Sequence, residues 1–145
     1  MTGRMRVILL ASLWVSGAAA ADESLIEGTW INGDGDGWIQ LAIVDGELTG
    51  TIVGSPDDPD SAKPSRLDEK NPEPSLRNRP LRGLTILSGF RFDDGRWVGG
   101  RIYDPNSGNT YRGTIRLVDR NALDLRGYVG ISLFGRTETW RRKDD

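Results

Sequence analysis

Short runs in which apolar and polar residues alternate recur along this chain from residue 27 onward, and turn-forming pairs separate many of them. Asp45-Gly46 and Asp94-Gly95 each stand between two such runs, as in a tight β-hairpin. Alternation with a period of two places apolar side chains on one face of a strand and polar side chains on the other. Successive hairpins with one wet face indicate an antiparallel sheet. The pattern therefore predicts an all-β fold.

The alternation predicts eight strands, and eight strands can close into a single antiparallel up-and-down barrel without exposed edges. A barrel of this size has either a packed interior or room for one small ligand. The expected strands are 27–32, 37–44, 47–53, 84–92, 96–103, 109–118, 122–129 and 135–142. The expected inward residues are Ile39, Leu41, Ile43, Leu48, Ile52, Val98, Ile102, Tyr111, Ile115, Leu117, Leu123, Leu125 and Val129.

Four glycines, Gly50, Gly100, Gly113 and Gly127, also fall in the expected inward rows. Glycine allows barrel strands to bend and coil sharply, at some cost in packing. The alternative is that the missing side chains leave volume for a guest molecule. We favour the geometric interpretation, although both can hold at once.

Residues 54–82 form a long connection that contains six of the seven prolines. A connection of this length in a compact domain is typical of a functional loop or lid. Residues 72–78 can hold a single helical turn with Pro74 near its start. The polar centre of the long connection consists of Asn71, Arg77 and Arg79. Its two arginines could bind a carboxylate or phosphate between them. The alternative, which we favour, is that they anchor the loop to barrel carbonyls or to Asp104.

The aromatic residues of the second half are mostly expected in the core or as plugs of the barrel. Tyr103, beside Asp104, and Tyr111, across the next turn, differ because they fall at one barrel end. Their polar tips can orient a guest there. The candidate ligand-binding residues are Asn71, Arg77, Arg79, Trp97, Tyr103, Asp104, Tyr111 and Arg136.

Three segments, 68–84, 95–105 and 135–141, together resemble a family of exported bacterial domains known as domain of unknown function 2147. The resemblance implies a lipocalin-like (calycin) barrel and no established activity. Gly28-Thr-Trp30 also looks like the Gly-x-Trp opening of lipocalins, in which the Trp closes one barrel end. In lipocalins an Arg of the last strand packs over that Trp, which here implies Arg136 or Arg141, by a cation–π contact.

Residues 1–21 have the pattern of a secretory signal peptide, which leaves residues 22–145 as one barrel domain. Arg4 and Arg6 form the positive start, residues 7–15 the apolar stretch, and residues 17–21 the small-residue cleavage region. The apolar stretch is shorter than the roughly 20 residues that span a bilayer as a helix. We therefore expect a periplasmic or secreted protein without a stable membrane anchor; an uncleaved anchor is the alternative.

Several classes of function are excluded by composition. The chain has no His and no Cys, which removes Ser-His-Asp chemistry, the common zinc sites and disulfides. Without Arg4 and Arg6 the formal net charge of −2 becomes −4, which does not suit a nucleic-acid partner. Residues 32–37 resemble the start of a calcium loop, but Ile43 stands where the bidentate Glu is required. We expect a hairpin turn there, and neither a metal nor a cofactor.

The leading functional prediction is an exported protein that binds or carries a small, partly apolar molecule, with the 54–82 loop as its lid. The alternative is a cell-envelope scaffold with a filled barrel, which contacts a protein partner through that loop and an exposed Trp38 or Phe134. A carboxylate-based hydrolase is the least favoured class. Glu138 can point into the barrel beside Arg136 and Trp140, where an ion pair with Arg136 is expected. No second carboxylate is indicated, so no catalytic residue is assigned.

Overall fold

The computed structural model describes residues 23–58, 65–130 and 135–145, which form a closed antiparallel barrel with its strands in chain order. Every predicted strand end lies within one residue of the observed one, so the predicted fold class is confirmed. The strands are β1 (Gly28–Ile31), β2 (Trp38–Val44), β3 (Glu47–Gly54), β4 (Thr85–Asp93), β5 (Arg96–Asp104), β6 (Asn109–Asp119), β7 (Ala122–Tyr128) and β8 (Arg136–Arg142). The predicted signal peptide lies outside the described residues.

The two ends of the barrel differ in the length of their connections. Because successive strands run in opposite directions, alternate connections lie at the same end. Tight turns after β2, β4 and β6 lie at one end, here called the closed end. Asp45 and Asp94 adopt positive φ angles of 51° and 49° in the first two of these turns, as the predicted hairpins require. The longer connections after β1, β3, β5 and β7 lie at the opposite end, here called the loop end. No helix in the described ranges is both long and apolar enough to cross a membrane.

Trp30 plugs the closed end, as the sequence predicted. Its side chain is 0% exposed, and its indole Nε1 donates to the Ile26 carbonyl at 2.9 Å. The arginine above its ring is Arg142, at 4.3 Å, so the expectation of Arg136 or Arg141 is wrong. Arg142 lies opposite Trp30 in the β1–β8 register, whereas Arg141 lies opposite Ile31 and is exposed. The side chains alternate along β8, which puts Arg136 in the same row as Arg142 but at the loop end.

The predicted inward row of β5 is wrong at its start. Trp97 is buried and packs edge-on against Phe92, with ring centroids 5.2 Å apart, whereas Val98 is only half-buried. The β5–β6 register shifts between Trp97 and Gly100, and Gly99 has a φ of 72°. Such a bulge reverses which residues face inward. Val129 is also misassigned: it follows the last residue of β7 and is 74% exposed.

Neighbouring side chains fill the space at three of the four inward glycines. A Cβ at Gly100 would collide with the Phe90 ring, one at Gly113 with Ile102, and one at Gly50 would lie 2.8 Å from Leu87. The geometric interpretation therefore holds for these three. Gly127 differs, because the nearest atoms to its added Cβ lie 3.6 Å away. The closed half of the barrel is thus packed, and free space remains towards the loop end.

Candidate ligand cavity

A cavity of about 560 Å³ lies inside the barrel between the packed core and the loop end. Its volume falls within the range of about 300–1,000 Å³ that is typical of small-molecule sites. Its apolar wall comes from inward-facing side chains of several strands. These strands extend from the packed core to the loop end, so their side chains also line the cavity. The apolar wall residues are Ile39, Ile52, Ile86, Ile102, Leu125 and Trp140.

The β1–β2 turn forms one side of the rim. Asn32 Oδ1 accepts hydrogen bonds from the backbone N–H groups of Asp36 and Gly37, both at 3.0 Å, and Asn32 Nδ2 donates to Asp36 at 2.6 Å. The residues that look like a calcium loop thus close a turn through their own side chains. In the three described ranges, no group of three or more acidic, His or Cys side chains is arranged to hold a metal ion.

An ion pair between Arg82 and Asp58 forms another side of the rim. Asp58 follows β3 and Arg82 precedes β4, so the pair joins the beginning and the end of the long connection. The Arg82 backbone N–H also donates to Ser65 Oγ at 2.9 Å, which fixes the chain at this point. This pair was not predicted from the sequence. Nothing in the local pattern marks it, since the two residues are 24 positions apart in a connection without periodicity.

The last strand places polar side chains in the cavity wall. Arg136, Glu138 and Trp140 lie opposite the inward residues Gly127, Leu125 and Leu123 of β7. Burial increases along this row from the exposed Arg136 through the half-buried Glu138 to Trp140, which is 3% exposed. The Trp140 indole N–H donates to Glu138 Oε1. The inward position predicted for Glu138 is confirmed, but the expected ion pair with Arg136 does not form among the described residues.

Asp68 organises the long connection from a fully buried position outside the cavity lining. Tyr103 Oη donates to Oδ1 at 2.5 Å, while Arg79 Nε and Asn71 Nδ2 each donate to Oδ2 at 2.9 Å. Burial by itself raises the pKa of Asp68, but these three hydrogen bonds and the Arg79 charge outweigh it, so the pKa lies below its ordinary value. Burial and the Asp68 carboxylate raise the pKa of Tyr103 to about 12.

The arginines of the long connection bond to acceptors within the connection, so the favoured prediction that they tie it to barrel carbonyls or to Asp104 is wrong. The bond to the barrel comes from Tyr103 through Asp68. Arg79 bonds to Asp68, and Arg77 Nε donates to the Asn71 carbonyl at 2.8 Å. Asp104, the acceptor named from the sequence, instead accepts from the Asn106 N–H and the Ser107 hydroxyl in its own turn. The predicted helical turn is present as a 3₁₀ turn over Pro74–Leu76.

The structure divides the predicted ligand-binding residues into two groups. Tyr103, Asp104, Tyr111 and Arg136 line the cavity, as do Glu138, Asp36 and the Arg82–Asp58 pair, which were not among them. Asn71, Arg77, Arg79 and Trp97 do not line it. Alternation along β8 does identify Glu138 from the sequence, but it provides no signal for the residues of the long connection. Ligand binding by any of these residues stays a prediction.

The fold and the cavity together define a lipocalin-like β-barrel, closed by a tryptophan at one end and hollow at the other. The chain belongs to the family described as "uncharacterized protein conserved in bacteria (DUF2147)", whose model matches residues 28–142. The family suspected from the sequence is thereby confirmed.

A solved structure supports the same architecture. The chain is similar to the structure described as "Protein HP1028 from the human pathogen Helicobacter pylori belongs to the lipocalin family", with a TM-score of 0.71 and 23% sequence identity. The similarity covers 82% of this chain and 83% of the other. Among the curated proteins, none matches this chain. At this identity the similarity establishes the fold, and function has to be argued from the cavity.

Proposed function

We propose that this protein binds a small, partly apolar molecule in the cavity at the loop end of its barrel. The observation that carries the proposal is the contrast between the two halves of the interior. The closed half is packed, whereas the loop half leaves about 560 Å³ between an apolar wall and a polar rim. An apolar pocket with a few placed polar groups is the general form of a small-molecule site.

Binding is proposed to take place after export, in the periplasm or outside the cell. The sequence of residues 1–21 supports this location, since it combines a positive start, a short apolar stretch and a small-residue cleavage region. Tagging the C-terminus and following the mass and compartment of the product in bacterial fractions tests it. A cytoplasmic product that retains residues 1–21 would contradict the proposal.

The scaffold with a filled barrel is less well supported. It requires aromatic rings that fill the interior. Trp30, Phe90 and Trp97 pack the closed half, whereas Tyr103, Tyr111 and Trp140 line the cavity and leave its volume open. Trp38, expected as an exposed contact residue, is half-buried, and Lys143 Nζ lies 4.7 Å from its ring centroid. Phe134 lies outside the described residues.

Catalysis is not part of the proposal. The carboxylate of Glu138 accepts a hydrogen bond from the Trp140 indole, which orients it in the cavity wall.

Native mass spectrometry of the protein exported by its bacterial host and purified without refolding tests binding directly. We expect an adduct of a few hundred daltons that is lost on denaturation. Gly127→Leu places a side chain in the cavity and is expected to remove the adduct, because the nearest atoms to a Cβ there are 3.6 Å away. Val53→Leu adds bulk to the exposed face of β3 and is the matched control.

The two variants also distinguish binding in the cavity from binding elsewhere on the protein. An adduct that persists in folded Gly127→Leu would place the bound molecule outside the cavity and overturn the proposal. Bare protein from several growth conditions, together with no affinity for apolar probes such as N-phenyl-1-naphthylamine, would favour the scaffold instead.

A further inference from the structure

We infer that the ligand carries a cationic or hydrogen-bond-donating group that binds the Glu138 carboxylate inside the cavity. The apolar body of the ligand then packs against the apolar wall. The inference rests on the proposed function and narrows it to a class of ligand: amphiphiles with a positive or donor head group, such as alkylamines, rather than fatty acids. Three features of the structure carry it.

The first feature is the position of the carboxylate. Glu138 lies one step deeper than Arg136 in the inward row of β8, opposite the buried Leu125. A carboxylate that is partly withdrawn from water into an apolar wall is costly unless its oxygens find donors. The hydrogen bond from the buried Trp140 indole N–H offsets part of this cost. A charged group in the apolar wall of a cavity is typical of a residue kept for binding.

The second feature is the unused acceptor capacity of Glu138. The Trp140 indole donates to Oε1 and thereby orients the side chain. In the part of the chain that the structure describes, Oε2 has no hydrogen-bond partner and Glu138 has no ion pair. An ionised carboxylate has about four acceptor sites, so the oriented group retains most of its capacity for a ligand.

The third feature is the balance of charge around the cavity. Arg82, one of its basic side chains, is already paired with Asp58. Clefts lined by an excess of one sign attract ligands of the opposite sign. The acidic lining residues are Asp34, Asp36, Asp58, Asp104 and Glu138, and the basic ones are Arg66, Arg82 and Arg136. Among the residues that the structure describes, the lining is thus net negative and favours a cation.

The arginines that suggested an anionic ligand from the sequence do not oppose this inference. Arg77 and Arg79 donate to Asn71 and Asp68 and do not line the cavity. Arg136 shares the row of Glu138 on β8, lies at its loop end and is exposed at the mouth of the cavity. Its charge is therefore better screened by solvent than that of Glu138, which lies deeper.

Three probes with the same eight-carbon chain separate head-group chemistry from apolar binding. Octylammonium, octanol and octanoate are titrated into the full exported protein at pH 7 by isothermal calorimetry, or by displacement of N-phenyl-1-naphthylamine. We expect octylammonium to bind at least about tenfold more tightly than octanoate, with octanol between them, because like charges repel across a binding site. Added salt should weaken octylammonium and leave octanol unchanged.

Two variants assign the preference to its residue. Glu138→Gln keeps the shape and an acceptor for Trp140, and is expected to reduce the preference for octylammonium over octanoate by about tenfold, since it removes the charge. Arg136→Gln, in the same row, should keep or increase that preference. The comparison of the three probes on the unaltered protein needs no variant, so a folding defect in Glu138→Gln would leave it decisive.

The results that would overturn this inference differ from those that would overturn the proposed function. Equal affinity for the three probes, or a preference that survives in folded Glu138→Gln, would overturn this inference while binding in the cavity stands. No affinity for any probe, octanol and the naphthylamine included, would overturn the proposed function together with the inference.

Discussion

At the scale of single residues, Asp68 determines how the long connection is attached to the barrel. Its carboxylate accepts from Tyr103 on β5 and from Asn71 and Arg79 in the connection itself. A carboxylate fully removed from water is stable only with such a set of donors. One side chain thus orders a segment that has no regular strand and one 3₁₀ turn among its described residues.

Asp68→Asn is expected to lower the free energy of unfolding at pH 7 by about 2–3 kcal/mol, because three charge-assisted hydrogen bonds are weakened or lost. Urea unfolding followed by tryptophan fluorescence measures the change. Glu69→Gln alters the neighbouring exposed carboxyl and is expected to stay within about 0.5 kcal/mol. Equal effects of the two substitutions would contradict the assigned role of Asp68.

The same carboxyl group predicts how stability depends on pH. The pKa of Asp68 is lower in the folded protein than in the unfolded chain, so its contribution is complete above the unfolded value of about 3.9. The contribution is lost as the pH falls towards the folded value. We expect this part of the acid dependence to be missing from Asp68→Asn when urea midpoints are compared between about pH 7 and pH 3.

The contribution of Tyr103 to stability has the opposite pH dependence and is lost at high pH. Its pKa of about 12 lies above the ordinary value of 10.0, so the folded state retains the phenol proton that the unfolded chain releases. Its contribution is complete below pH 10 and decreases from there to about pH 12. Ultraviolet titration of the phenolate, compared with Tyr103→Phe, should show one tyrosine that ionises late; three equivalent tyrosines would disprove it.

At the scale of elements, the strands depend on glycines for two different reasons. Gly100→Ala pushes a methyl group into the Phe90 ring and is expected to destabilise the protein by about 1–3 kcal/mol. Gly127→Ala has space for its methyl group and should change stability by less than about 1 kcal/mol. Thermal unfolding of both variants tests the contrast, and similar losses in both would show that the interior at Gly127 is also packed.

The closure between the first and last strands depends on Arg142. Its guanidinium lies over Trp30 and donates to the carbonyls of Leu25, Glu27 and Arg120 at 2.5, 2.8 and 2.6 Å. Arg142→Ala is expected to cost about 2–3 kcal/mol through lost cation–π and hydrogen-bond interactions. Arg141→Ala removes the exposed neighbour and should be nearly neutral by urea unfolding; the reverse order of effects would restore Arg141 as the capping residue.

At the scale of the whole molecule, the packed closed half supports the hollow loop half. A molecule that binds only the folded state stabilises it by mass action. At a concentration of octylammonium about 100 times its dissociation constant, we expect a gain of about 2.7 kcal/mol in the free energy of unfolding. The gain should be absent from Gly127→Leu and present in Val53→Leu. Equal stabilisation of both variants would place the probe outside the cavity.

The sequence by itself determined the strands, their turns and the family. Period-two alternation and Asp-Gly turns act over a few residues, and the observed strand ends accordingly lie within one residue of the predicted ones. The burial of Trp30, the 3₁₀ turn after Glu73 and the inward position of Glu138 also follow from local pattern or from the resemblance.

Only the tertiary structure decided which long-range partners meet. A bulge at Gly99 turned Trp97 inward in place of Val98, and the β1–β8 register selected Arg142 instead of Arg141. Tyr103 and Asp68 are 35 positions apart, and the Arg82–Asp58 pair spans 24. No local period carries such pairings, because they depend on how the closed barrel brings distant segments to one end. The same closure placed Glu138 in the wall of the cavity, where the Trp140 indole orients its carboxylate.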